Sequence, residues 1–124
     1  VVVMSSKWKK YLAVLLLVFS AGSSWADQLP RLVDVGADKC IPCIKMAPIL
    51  DQLREDFAGR MEVKFVDAWK NRVEAASYGV MMIPTQIFYA ADGKELFRHT
   101  GFYGREEILG KWQELGYEFE LKQP

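Results

Sequence analysis

The chain has 124 residues, half of them apolar and 26% charged, so one small globular domain accounts for it without disordered, low-complexity bulk. Sixteen basic side chains stand against sixteen acidic ones, which leaves no basic footprint for nucleic acid. There are only two cysteines, too few for the disulfide framework that small secreted domains use in place of a core.

The first segment does not belong to that core. Lys7, Lys9 and Lys10 precede an uninterrupted apolar run from Tyr11 to Phe19, and small residues follow up to Ser24-Trp25-Ala26. Basic, apolar, then small-x-small is the order of a secretory signal peptide. Met4 reads as the start and cleavage is expected after Ala26, giving a signal peptide over 1–26 and a periplasmic or secreted domain over 27–124. The competing reading is an uncleaved anchor, but this apolar run falls well short of the roughly 20 residues that span a bilayer. Removal of 1–26 takes away three basic side chains and no acidic one, for a net charge of about −3 in the 98 residues that remain. That is enough chain for one core without staples.

Arg31-Leu32-Val33-Asp34-Val35-Gly36 is a β-prone run, and the polar turn Ala37-Asp38-Lys39 follows it. From Cys40, apolar residues Ile44, Met46, Ile49, Leu50, Leu53 and Phe57 recur at helical spacing up to the stop signal Gly59. This predicts a helix of about four turns that starts at Cys40-Ile41-Pro42-Cys43. Pro42 is harmless in the first turn, whereas Pro48 removes a backbone hydrogen bond and is expected to kink the helix. Met61–Asp67 reads as a strand that enters the core. Residues from about Lys70 to Tyr78 suit a short helix with Val73, Ala75 and Ala76 inward. The strands Thr85–Ala90 and Glu95–His99 are joined by Ala91-Asp92-Gly93-Lys94, and Asp-Gly between β-prone runs is a hairpin signal. Arg105 to about Leu115 is an amphipathic closing helix with Ile108, Leu109, Trp112 and Leu115 on one face. A frayed tail is expected after Tyr117. The order strand, helix, strand, helix, hairpin, helix predicts an α/β sandwich with helices on both faces of the sheet and a right-handed crossover between the first two strands.

Cys40 and Cys43 carry the chemistry. As a staple the pair is poor, because the chain-entropy gain of a disulfide grows with the loop it closes and this loop is tiny. As half of a zinc site it is also poor, since His99 is the only further nitrogen ligand and no second CxxC exists. A redox pair is the favoured reading, with no metal and no cofactor expected. Exchange needs a thiolate, and a sulfur at a helix N-terminus faces unpaired N–H groups and the positive end of the macrodipole. Cys40 is therefore the expected nucleophile, with Lys39 as a neighbouring cation. Cys43, one turn further in, is the expected resolving thiol. Pro42 withholds a donor that would help hold the Cys40 thiolate, which favours a less oxidising pair. Asp34 is an acid inside an apolar strand, so it needs a partner or a raised pKa. His99 reads as structural, and Met81, Met82 and Phe102-Tyr103 read as packing residues.

Asp34, Cys40-Ile41-Pro42-Cys43, Ala47-Pro48, Ile83-Pro84-Thr85 and Gly101 together resemble the thioredoxin family over nearly the whole of 27–124. The resemblance implies a thioredoxin-like three-layer sandwich with a shortened N-terminus and a mixed sheet of about four strands. It implies a cis Ile83-Pro84 peptide beside the cysteines, and Asp34 as proton acceptor for Cys43, with Lys64 as a companion. Ile41, Ile83 and Gly101 would form an apolar substrate surface around Cys40. Three departures from the family pattern stand out: only about four residues, Asp27 to Pro30, precede the first strand, Lys39 stands where the family usually has Trp, and Ile41 where it usually has Gly. The function implied is a disulfide reductase, monomeric, acting on exported protein substrates and re-reduced by a membrane thiol donor. A disulfide oxidant or isomerase is the alternative within enzymes. A non-catalytic binding or assembly module is the alternative outside them.

Overall fold

The computed structural model describes residues 28–119. The proposed signal peptide and cleavage site lie outside the described residues. The elements are β1 (Arg31–Gly36), α1 (Ile41–Asp56), β2 (Glu62–Asp67), α2 (Arg72–Ser77), β3 (Thr85–Tyr89), β4 (Glu95–Thr100) and α3 (Arg105–Glu114). They form one mixed sheet in the order β2-β1-β3-β4. β1 and β2 run parallel, while β3 runs antiparallel to both β1 and β4.

Strand parity builds the three layers, because alternate residues of a strand point to opposite faces. Leu32, Val63 and Phe88 face α1 and α3, where they meet Met46, Leu50, Leu53, Ile108 and Trp112 in one core. Val33, Val35, Val66 and Ile87 face the other way and enclose Ala75 of α2 in a second, smaller core. β1 is central and buried on both faces, which explains its near-continuous apolar run. Its one charged core residue is Asp34.

The hairpin forms where the Asp-Gly signal falls. Gly93 adopts a φ of +88°, and Ala90 and Lys94 close the turn through a 2.8 Å N–H···O bond. Helix α1 continues through Pro48 as a single element, with Cys40 at its N-cap.

Four expectations about packing need correction. Ile44 is exposed on α1, the buried row being Cys43, Met46, Leu50 and Leu53. Helix α2 is only six residues long and starts after the Asn71 cap, so it has a single inward position, Ala75. Val73 is 85% exposed as a result, and Ala76 also faces solvent. Met81 and Met82 project into solvent instead of packing a loop. The chain just after Tyr117 does not fray, and residues 120–124 of the expected tail lie outside the described residues. Phe119 meets Phe57 and Trp112 with ring centroids 5.6 and 5.5 Å apart, and Tyr117 packs on Trp112 at 5.1 Å.

Trp112 is fully buried at the centre of this aromatic group, also touching Phe88 at 4.9 Å. Trp112→Ala is expected to destabilise the fold by about 3–5 kcal/mol. The midpoint of urea unfolding measures this, and an unchanged midpoint would remove α3 from the core described above.

Candidate active site

The site lies at the carboxyl end of β1. Gly36 ends that strand, the turn at Asp38-Lys39 reverses the chain, and Cys40 caps α1 with extended backbone angles. Ile41 and Pro42 occupy the first two helical positions and Cys43 the third. The N-cap side chain would ordinarily accept a hydrogen bond from the second or third of these positions. Pro42 has no N–H to give, so the Cys43 N–H is the remaining local donor for the Cys40 sulfur. No acidic residue stands in the first turn of α1 to oppose a thiolate there.

Cys40 and Cys43 are joined in a disulfide with Cα atoms 5.1 Å apart. The two sulfurs differ in access. Cys40 is half-buried, whereas Cys43 is 4% exposed. Beyond Cys43 a cleft of about 400 Å³ opens between α1 and β2, lined among others by Ala37, Asp38, Ile44 and Phe65. The charge on Asp38 is held by an ion pair with Lys70 of the loop after β2.

Asp34 is fully buried, one strand repeat before Gly36 and on the same face. Its Oδ1 accepts a hydrogen bond from the Gln86 Nε2 group of β3 at 2.8 Å, and its Oδ2 has no partner among the described residues. Burial pushes its pKa well above the usual carboxylate range, to about 6, and the Gln86 amide offsets part of that rise. Gly36 ties the acid to the thiol. A Cβ on Gly36 would stand 3.3 Å from Asp34 Oδ2, 3.3 Å from Cys43 Sγ and 3.1 Å from the Phe65 ring. The carboxyl oxygen and the sulfur thus flank the same space and lie at most twice that distance apart.

Lys64 is not the companion of Asp34. The parallel register sets Lys64 beside Val33 and Phe65 beside Asp34, so Lys64 projects from the opposite face, where it pairs with Glu74 at 2.5 Å. The partner is Gln86, which sequence reasoning passed over. The available signal was a lone polar residue in the apolar run Thr85-Gln86-Ile87-Phe88-Tyr89.

The remaining site residues gather at the same end of the sheet. The Ile83-Pro84 peptide bond is cis. Thr85 pairs with Val35, which places Pro84 next to Gly36, and the Gly101 N–H donates to the Pro84 carbonyl at 2.8 Å. Gly101 has a φ of +106°, a conformation that favours glycine. Pro84 is buried, Ile83 is half-buried, and Ile41 stands 71% exposed beside Cys40. Phe102 is exposed as well, while Tyr103 turns inward and stacks on His99 at 4.1 Å.

A sequence model of the thioredoxin family matches residues 21–114. The chain belongs to the thioredoxin family. It is 38% identical over 84 residues to a thioredoxin of Staphylococcus aureus, a match that covers 65% of this chain and 80% of that protein. Among solved structures it superposes on thioredoxin from Fasciola hepatica with a TM-score of 0.62 and 30% identity, covering 71% of this chain and 82% of that one. Thioredoxin-2 of the malaria parasite gives a TM-score of 0.64 at 21% identity, covering 69% of this chain and 82% of that one, a likeness of fold alone. Family membership and the Cys40–Cys43 pair make the chain a thiol-disulfide oxidoreductase, a protein-disulfide reductase that acts on protein disulfide substrates.

Proposed function

We propose that this reductase works outside the cytoplasm, as a monomer that keeps exported protein cysteines reduced and is recharged by a membrane thiol donor. Export rests on the basic, apolar, small-residue order of residues 7–26. Cys40 attacks the substrate disulfide and Cys43 resolves the mixed disulfide, with Asp34 accepting the Cys43 proton. The observation that carries these roles is the pairing of an accessible sulfur at the helix N-cap with a buried one beside a buried, unpartnered carboxyl oxygen. Ile41, Ile83, Pro84 and Gly101 form the docking surface. The peptide groups of Ile83 make no hydrogen bond within the described residues, which leaves an edge for an extended substrate chain.

The electron-flow direction rests on Pro42. A thiolate with fewer N–H donors is a poorer leaving and resting species, so the dithiol gives up its electrons more readily. The expected reduction potential lies near the roughly −270 mV of thioredoxin, far from the roughly −120 mV of a strong oxidant. Equilibration in dithiothreitol buffers with thiol trapping measures it. Pro42→Ala restores a donor at the second helical position and should raise the potential. A wild-type value near −120 mV would make the protein an oxidant instead.

A further inference from the structure

One side chain from each strand stands in a single row across the sheet face that α1 covers. The registers place Phe65 beside Asp34, Asp34 beside Gln86, and Gln86 beside His99, and in-register neighbours project to the same face. The centre of the row is dry, Asp34 and Gln86 being fully buried. Their 2.8 Å bond joins Gln86 Nε2 to Asp34 Oδ1, while Asp34 Oδ2 and Gln86 Oε1 have no partner among the described residues. A buried amide is a poor core filler, since an apolar side chain of similar length would pack there without desolvating polar atoms. The rest of the β3 positions on this face follow the apolar rule, as Phe88 shows.

We infer that Gln86 is a positioning residue for the proton step at Cys43: by holding Asp34 Oδ1, it fixes the carboxyl plane so that Oδ2 faces the sulfur across Gly36. This rests on the reading of Asp34 as the base for Cys43. The torsion that turns a carboxyl group is soft, so without a fixed partner either oxygen, or neither, would face the thiol. Gly36 keeps the intervening space open, because any side chain there would begin 3.3 Å from both reacting atoms.

In the mixed disulfide, the Cys43 S–H gives its proton to Asp34 Oδ2. The Cys43 sulfur forms a bond to the Cys40 sulfur, and the bond from Cys40 to the substrate sulfur breaks. The substrate sulfur leaves with the electron pair, and the Cys40/Cys43 dithiol has supplied both electrons. Gln86 acts without adding charge. It stabilises the carboxylate by one hydrogen bond, so the acid remains a usable base near neutral pH, where a permanent cation would hold it too strongly ionised to take the proton.

Among the described residues, the titratable groups around Asp34 are few. Cys43 of α1 and His99 of β4 share its face, and the His99 ring lies 3.2 Å from the Phe102 carbonyl and stacks on Tyr103. Lys64 of β2 and Glu74 of α2 pair on the opposite face. Asp38, Asp51 and Arg54 line the cleft on the far side of Cys43.

The test is the rate of the resolving step in the full-length protein between pH 4 and 8. An aromatic disulfide reagent converts Cys40 to a mixed disulfide with release of one coloured arylthiolate, and stopped-flow absorbance follows the second, which Cys43 releases. In the wild type the rate should rise through a limb set by Asp34. Gln86→Met keeps the volume and removes the donor, so the limb should move up by about one pH unit, with about a tenfold slower step at pH 5. Gln86→Glu, which keeps the size but exchanges the donor for an acid, should move it up as well and serves if the methionine variant does not fold. His99→Gln should leave the limb in place, and its disappearance there would overturn the inference. Asp34→Asn separates the two claims. A limb that survives in Asp34→Asn sinks the role of Asp34 itself. A limb lost in Asp34→Asn but unmoved in both Gln86 variants sinks only the positioning role of Gln86.

Discussion

Cys40→Ser is expected to lower the rate of insulin disulfide reduction by a factor on the order of a thousand or more, with the fold intact. The reason is access. Cys40 caps α1 at the surface, while Cys43 is 4% exposed and sits behind it, so no second thiol can begin the attack on a protein substrate. Loss of a sole nucleophile leaves only what binding can do, which is small beside covalent chemistry. Cys43→Ser should behave differently. Its Cys40 can still attack, but nothing resolves the product, so a mixed disulfide with substrate accumulates and is released by dithiothreitol. Gel analysis without reductant separates the two variants. An adduct in Cys40→Ser and none in Cys43→Ser would exchange the two roles. A wild type that leaves insulin disulfides intact would point to a binding module that uses the surface alone.

The parts of this site that were legible in the sequence are those fixed by local rules. The β1 run, the helix start at Cys40 and the Asp-Gly hairpin each depend on a few adjacent residues, and each element stands where the pattern puts it. What was not legible depends on register. Lys64 and Phe65 are adjacent in sequence, yet only one can stand beside Asp34, and a one-residue shift exchanges them. Period-2 patterning gives the parity within a strand, but not which residue of the neighbouring strand lies opposite. The same limit hid Gln86, whose meaning appears only when β3 is set antiparallel to β1 with Gln86 against Asp34. Helix α2 failed for a different reason. Six residues make fewer than two turns, too few for a stripe that would single out Ala75, the one residue of the three that reaches the sheet, from Val73 and Ala76. Phe119 was missed because aromatic packing of a chain end on Phe57 and Trp112 has no local signature.

Asp34→Asn should make the protein more stable and slower at once. A carboxyl held near pKa 6 in the fold and near its ordinary value of about 3.9 in the unfolded chain binds more protons when folded throughout that interval. The stability associated with Asp34 is therefore fully present below about pH 4. It falls as pH rises and is lost above about pH 6, where the fold must carry a buried carboxylate. About two pKa units correspond to about 3 kcal/mol. Asparagine keeps the Oδ1 acceptor for Gln86 and removes the titration. In urea unfolding of the oxidised protein, the variant should exceed the wild type by about 2–3 kcal/mol at pH 7.5 and match it near pH 4. Parallel stability profiles for the two proteins would mean that Asp34 is solvated in the fold. The kinetic half of the effect runs the other way, since the buried thiol loses its proton acceptor and the resolving step slows. A core acid that lowers stability at neutral pH yet speeds disulfide exchange is the expected signature of a residue kept for chemistry, not packing.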